Sequence, residues 1–499
     1  MLKEQLLDEY EKNELLLLDK LYINDGHIEK KELLDLLNIS EKKLKKTVES
    51  VNERLERYVS APMIEYIKTN RTYLLTKEGC MNISRLGSQY AATSINFLIL
   101  RAYLEKESVQ AELLMDSLML SRSDLYRRVK KINTVIQEFN LKIKNNKING
   151  TELQIRYFEQ LFYQNVFPEK YLDEKSMTTY RFEPLFNELN RYFVVDLNTV
   201  QKDKFTLWLK NMFKNMKITR GTLDIPILVQ QYLKDNPHFD DFSEILVKFF
   251  LCFSIKLREI DLISTYLFVV SFFIIPFDSK KSLEIINFSL QKKDIIGKTI
   301  SWMEKKFEQF VGTAVANDVY SSFYLYYMFN CHCQAVFFSG YLFYIDTPLI
   351  SFYESYNYNE KIIRKWVDEL CEVSIFKQTF LSRNKKFMIY KYLMYIYREK
   401  SIVYSPVQVG VSLFTDPLME TIFIERLQKE LSKNHRANVE RYQEKSIYDL
   451  VVVNIPNRLK KSNFKSEFVI SGIGTAKDKR EISKRISVIQ RKKFLNNRY

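Results

Sequence analysis

Six side chains on one helical face define the chemistry open to this chain. Ser123, Arg127, Lys130 and Thr134 recur at three- and four-residue spacing, with Tyr126 and Lys131 beside them. At about 100° per residue they share one side of a helix. Their hydroxyls, guanidinium and ammonium groups are donors for base edges and phosphate oxygens, and no carboxylate stands among them. Opposite them Leu125, Val129, Ile132 and Ile136 form a narrow apolar arc. A helix-turn-helix needs such a two-faced helix: the arc packs inward and the other face enters the major groove of duplex DNA. Lys142, Lys144 and Lys147 extend the basic footprint. Between Ser121 and Arg156 there are nine Lys/Arg against three Asp/Glu.

The same pattern occurs earlier in the chain. Leu37-Asn38-Ile39-Ser40 precedes Leu44, Val48, Val51, Asn52 and Leu55. Leu118-Met119-Leu120-Ser121 precedes Leu125, Val129, Ile132, Asn133 and Ile136 at matching offsets. Both copies read as the turn and second helix of a helix-turn-helix, with Ser40 and Ser121 placed as N-caps. The outer face of the first copy carries Lys42, Lys45 and Lys46, but also Glu49, Ser50 and Glu53. Carboxylates on a groove face repel phosphates, so the second copy is expected to be the principal reader and the first a helper.

The elements that must hold these faces follow. Residues 1–90 read as one winged unit: helices over 13–21, 29–37 and 40–57, strands over 63–67 and 73–76, and a wing at Thr69-Asn70-Arg71. Residues 91–160 repeat it: helices over 94–104, 108–117 and 121–139, then strands over 141–144 and 152–156 around a wing tip at 145–150. From 161 to about 400 the pattern is helical, rich in Phe and Tyr, and broken near Asp278-Ser279-Lys280 into blocks 161–282 and 283–400. After Tyr404 the period changes. Strands over 407–414 and 448–455 enclose a helix over 418–431, a β-α-β unit with a parallel sheet in a domain over 401–499.

Composition agrees with a mainly α, multidomain chain. Among 499 residues, 46% hydrophobic, there are only 11 Gly and 10 Pro. The net charge of +15 suits a polyanionic partner. Five scattered cysteines point to reduced thiols and a cytoplasmic setting. The N-terminus lacks an apolar signal core. Two apolar runs, 262–277 and the uncharged 319–345, read as buried helices rather than membrane spans. The second holds Asn330, His332 and Gln334 and is interrupted by Ser339-Gly340.

With these parts in order, the chain resembles the Mga/AtxA family of virulence regulators of Gram-positive bacteria. The resemblance is carried by Leu-Asn-Ile-Ser-Glu-Lys-Lys-Leu at 37–44 and Leu-Ser-Arg-Ser-Asp-Leu-Tyr-Arg-Arg-Val-Lys-Lys-Ile-Asn at 120–133. It implies that the helical blocks are PRD-like regulatory domains, open to histidine phosphorylation by the phosphocarrier protein of the sugar phosphotransferase system. It implies further that the C-terminal domain is EIIB-like and helps to form a homodimer. His238, in Asp-Asn-Pro-His-Phe-Asp-Asp, suits an exposed, phosphorylatable imidazole. His332, in Asn-Cys-His-Cys-Gln, is the second candidate for phosphorylation, in an apolar setting that suggests a packed side chain.

Rival readings are weaker. An EIIB phosphotransferase uses a cysteine at the end of its first strand, and no Cys follows Cys371, so no enzyme activity is expected there. Cys331-His332-Cys333 has no second ligand pair for a structural zinc, and no metal or cofactor is expected. The basic tail from Arg458, with thirteen Lys/Arg against three Asp/Glu up to Arg498, leaves open an architectural nucleic-acid-binding protein without phospho-control. The uncharged run would serve a membrane-associated sensor.

Overall fold

The protein is described by a computed structural model, covering residues 6–24, 26–56, 63–76, 87, 90–166, 178–216, 218, 220–311, 322–340, 357–398, 406–432, 435, 437–456, 459, 461–470 and 474–496. Arg57, Cys80, the outer ends of the uncharged run at 319–321 and 341–345, Lys400, Arg458, Lys460 and Arg498 lie outside the described residues. The chain forms two compact units: Met1–Trp302 with Leu325–Met388, and Met303–Tyr324 with Ile389–Tyr499.

The first winged unit runs α1 (Glu9–Ile23), β1 (His27–Glu29), α2 (Lys30–Leu37), α3 (Glu41–Leu55), β2 (Met63–Ile67) and β3 (Thr72–Thr76). Leu17, Leu18, Leu21, Leu33, Leu44, Val51 and Leu55 close its core. The strands form an antiparallel sheet of order β1-β3-β2, with Ile28 opposite Tyr73 and Ile64 opposite Leu75. β1 was not expected; three residues are too few to show an alternating period.

The second unit runs α4 (Ile95–Glu105), α5 (Ala111–Leu118), α6 (Arg122–Ile136), β4 (Lys142–Lys144) and β5 (Lys147–Asn149). The expected strand over 152–156 is instead the start of α7 (Glu152–Val166). Two causes combined to mislead the period. Asn145 and Asn146 both take positive φ, 54° and 59°, which closes a two-residue hairpin and ends the wing early. The alternation Glu152-Leu153-Gln154-Ile155-Arg156 comes from polar residues that are themselves buried.

The helical region comprises α8 (Thr178–Phe193), α9 (Thr199–Asn215), α10 (Ile227–Leu233), α11 (Pro237–Leu251), α12 (Glu259–Ser271), α13 (Lys280–Lys292), α14 (Ile295–Val311), α15 (Ser322–Phe337), α16 (Asn357–Glu372) and α17 (Lys385–Arg398). The expected break falls between α12 and α13, where Ser279 caps α13 and donates its hydroxyl to the Phe193 carbonyl, 2.7 Å away. Aromatic stacking fills the interior, as between Trp208 and Phe268, with centroids 4.4 Å apart. The apolar run at 262–277 supplies the buried α12. Among the described residues no helix is long and apolar enough to cross a membrane.

α7 is tied to this region by a buried ionic cluster. Arg156 pairs with Glu152 at 3.0 Å and with Asp261 of α12 at 2.6 Å. Arg220 reaches Glu159 at 3.0 Å and Glu152 at 3.4 Å. Arg258 closes on Asp261 at 3.0 Å. Burial raises the Asp261 carboxyl, but hydrogen bonds and charge from Arg258 and Arg156 outweigh it, and the net shift is downward.

The C-terminal sheet is wholly parallel, of order β7 (Ala437–Arg441), β6 (Val407–Ser412), β8 (Leu450–Val453) and β9 (Glu467–Val469). α18 (Pro417–Ser432) crosses from β6 to β7, and α19 (Ala476–Asn496) packs Ile482 and Ile486 into the core. The edge strands β7 and β9 were not expected, because short polar edges carry little apolar signal. Part of the basic tail is therefore a strand and a packed helix.

Candidate nucleic-acid interface

The two copies share their turn geometry. α2 ends at Asn38 with φ 49° and α5 ends at Met119 with φ 51°, both left-handed. Ser40 and Ser121 then cap α3 and α6, accepting from the Lys43 and Asp124 amides. Leu125, Ile132 and Ile136 are buried as expected. Val129 is half-buried and lines the cleft described below.

The repeated asparagines have a role that pattern reading missed. Asn133 accepts from the Ile143 amide at 2.7 Å and donates to the Ile143 carbonyl at 2.9 Å. Asn52 makes the same pair of bonds with Ile64, at 2.8 and 3.0 Å. Each asparagine thus fastens its second helix to the first strand of its own wing. Their matched offset in the repeat was the available signal. Asn133→Ala removes the side-chain partner of both the Ile143 N–H and the Ile143 C=O and is expected to destabilise the wing by about 1–3 kcal/mol. Faster hydrogen exchange at the Ile143 amide checks this; unchanged protection would deny the clamp.

On the outer face of α6, Ser123, Tyr126, Arg127, Lys130 and Thr134 are exposed. Tyr126 is 75% exposed. Arg127 pairs with Asp124 one turn back. Lys131 departs from the expectation. It is half-buried and folds back to the Leu7 carbonyl at 2.8 Å and to Asp8 at 3.7 Å. Arg128 joins it, bonding Asp8 and Asn96. These two cations bind the start of α1 to the back of α6, and Lys131 is correspondingly drawn away from the groove face.

Lys142, Lys144 and Lys147 are all exposed on the wing strands, with Ile143 and Ile148 turned inward. Lys147 stands in β5 rather than at a tip and lies 3.7 Å from Glu107. Between α6 and this hairpin runs a cleft of about 1370 Å³, lined among others by Arg122, Tyr126, Lys130, Thr134, Lys142 and Lys144. In the first copy Lys42, Lys45 and Lys46 are exposed, and so are Glu49 and Glu53.

The histidines divide differently from expectation. His238 does not sit in an exposed loop. It occupies the first turn of α11, capped by Asn236, and is buried against Phe288 with ring centroids 5.6 Å apart. Burial, then the charge of Lys281, lowers its pKa. Its backbone could not be anticipated as helical because Pro237 also reads as a turn residue; at N1 it starts a helix. His332 is fully buried, as expected, with Nδ1 2.7 Å from the Thr299 hydroxyl. Burial pushes its pKa down to about 3.

In the C-terminal sheet, the loop after β6 holds its amides internally. The Leu413 amide donates to Glu420, Phe414 to Asn454, and Leu418 and Met419 to Asp416. Side-chain oxygens of Glu420, Asn454 and Asp416 thus accept from these loop amides.

A known family matches this chain over the second copy. Residues 81–163 match the Mga helix-turn-helix domain. A protein described as "Putative trans-acting regulator" from Streptococcus pneumoniae serotype 4 is 28% identical over 169 residues. That alignment covers 33% of this chain and 32% of the relative, so the chain spans about a third of the length of the protein it matches. The matched segment contains α4, α5, α6, the wing and most of α7, and residues 81–163 are thus a Mga helix-turn-helix domain, of the kind found in Mga-type transcriptional regulators.

Proposed function

We propose that this protein regulates transcription by binding duplex DNA, with α6 as principal reader and α3 as helper. The observation that carries this is the exposed face of Ser123, Tyr126, Arg127, Lys130 and Thr134 on a capped helix fastened to a basic wing. It lies inside the segment that matches a Mga helix-turn-helix domain. Lys131 acts here as a positioning residue. Lys142, Lys144 and Lys147 serve phosphates, and Lys42, Lys45 and Lys46 assist from the first copy.

Salt tests this reading. Arg127, Lys130 and three wing lysines make about five phosphate contacts, each contributing about −0.9 to the slope of log K against log salt. Anisotropy titrations of labelled duplex should give a slope of about −4 to −5 per protomer. A flat salt series would sink the reading. Genome-wide footprinting would then define the operator.

The finer reading keeps the five domains at 1–90, 91–160, 161–282, 283–400 and 401–499, with PRD-like blocks and an EIIB-like scaffold through which two copies pair in the cytoplasm. Phospho-control is assigned to His238. Its Nδ1 is buried without a hydrogen-bond partner among the described residues, so phosphoryl transfer there requires the first turn of α11 to open; Nδ1 of His332 is engaged by Thr299 inside the core. Incubation with the phosphorylated phosphocarrier protein should label the wild type and leave His238→Ala unlabelled. Label retained in His238→Ala and lost in His332→Ala would reverse the assignment.

A further inference from the structure

The cleft beside α6 has one lining residue from far along the chain. Arg383, in the segment between α16 and α17, is exposed at the end of the cleft and donates from Nη1 to Asn140 Oδ1 at 2.8 Å. Asn140 directly follows the 3-10 turn that ends α6. With Arg383 counted, the cleft walls hold five cations (Arg122, Lys130, Lys142, Lys144 and Arg383) against two carboxylates, Glu112 and Glu138.

The position of Arg383 is built rather than incidental. Its neighbour Asn384 is buried. It donates to the Ala335 and Phe338 carbonyls at 2.9 and 2.6 Å and accepts from the Gly340 amide at 3.0 Å. Ser339 and Gly340 in turn grip the end of α6. The Ser339 hydroxyl donates to the Glu138 carbonyl at 2.8 Å. Gly340 has φ +82°, and a Cβ there would stand 2.7 Å from the Phe139 ring, so only glycine permits this approach. Gln154 and Tyr157 of α7 hold the same two residues from the other side.

We propose that the DNA interface is composite: Arg383, delivered by the helical region, contacts a backbone phosphate beside the groove entered by α6. This rests on the reading of α6 as a DNA reader and extends it. A guanidinium tethered by one nitrogen keeps the rest of its fork for an anion. The arrangement also ties DNA affinity to the seating of the helical region on the end of α6, since the Asn384–Gly340 latch holds the segment that carries Arg383.

The test is anisotropy of the full chain with a fluorescein-labelled mixed-sequence duplex of about four helical turns across a salt series. Arg383→Ala should weaken binding about five-fold at low salt and make the salt slope shallower by about 1, with the melting temperature unchanged. Arg383→Lys should retain the slope. Unchanged affinity in Arg383→Ala overturns the proposal. Weaker binding with an unchanged slope also overturns it, because the residue would then act only through the end of the helix. Arg127→Glu with Lys130→Glu, run in parallel, separates the two ideas. Loss of binding there without an Arg383 effect removes only the composite surface, whereas normal binding there removes the reading of α6 itself.

Discussion

Arg127→Glu combined with Lys130→Glu is expected to lower duplex affinity by more than about 100-fold while leaving the fold intact. Both side chains are exposed, Arg127 at 75%. The only ion pair broken among the described contacts of Arg127 is with Asp124, a surface pair one turn away, and such pairs contribute about 0–1 kcal/mol. Folding therefore has little to lose. Binding has much more. Each lost base or phosphate contact costs about 1–3 kcal/mol, and each new carboxylate then repels the phosphates it faces. A two-charge reversal in the first copy, Lys45→Glu with Lys46→Glu, should weaken binding less, because Glu49 and Glu53 already burden that face. Gel shifts with circular dichroism on each variant decide it. Normal shifting by the Arg127/Lys130 variant would mean that α6 is not the reader, and a greater loss from the first copy would exchange the two roles.

The doubled pattern made much of this legible. Helix spacing exposed the apolar arcs, and Ser40 and Ser121 marked their own caps. What stayed hidden depended on partners distant in sequence. Lys131 looks like a groove cation until Leu7 and Asp8 come alongside it. Spacing alone leaves Arg128 off the reading face, but nothing local shows that it binds Asp8 and Asn96. Arg383 lies 243 positions from Asn140, so no window contains both. The start of α7 failed for a related reason. Five polar residues in its first nine positions suggest a solvated face, yet each is buried and answered by a charge or amide elsewhere. Local period reports burial only when polar side chains face water, and here they do not.

That same cluster yields the largest stability effect expected. Arg156→Ala removes the guanidinium between Glu152 and Asp261, side chains 0% and 1% exposed. Arg220 and Arg258 remain, but they cannot fill the vacated position. Leaving buried carboxylates short of a partner costs about 3–5 kcal/mol, enough to remove much of the stability of an ordinary domain. Arg156→Met keeps more volume and separates packing from charge; it should recover little. The pH dependence carries the sign. In the wild type the folded pKa of Asp261 lies below its usual value of 3.8, so its stabilisation is complete above that pH and fades as pH falls through the folded value. In Arg156→Ala the Asp261 carboxyl loses a cation while staying buried, so its folded pKa rises. Protonation then relieves the variant, and its deficit against wild type should shrink as pH falls. Urea melts at neutral pH and at about pH 4, close to the usual value of 3.8, measure this. A deficit under about 1 kcal/mol at neutral pH would show that the remaining arginines suffice. A deficit that is large but constant with pH would assign the loss to packing rather than to charge.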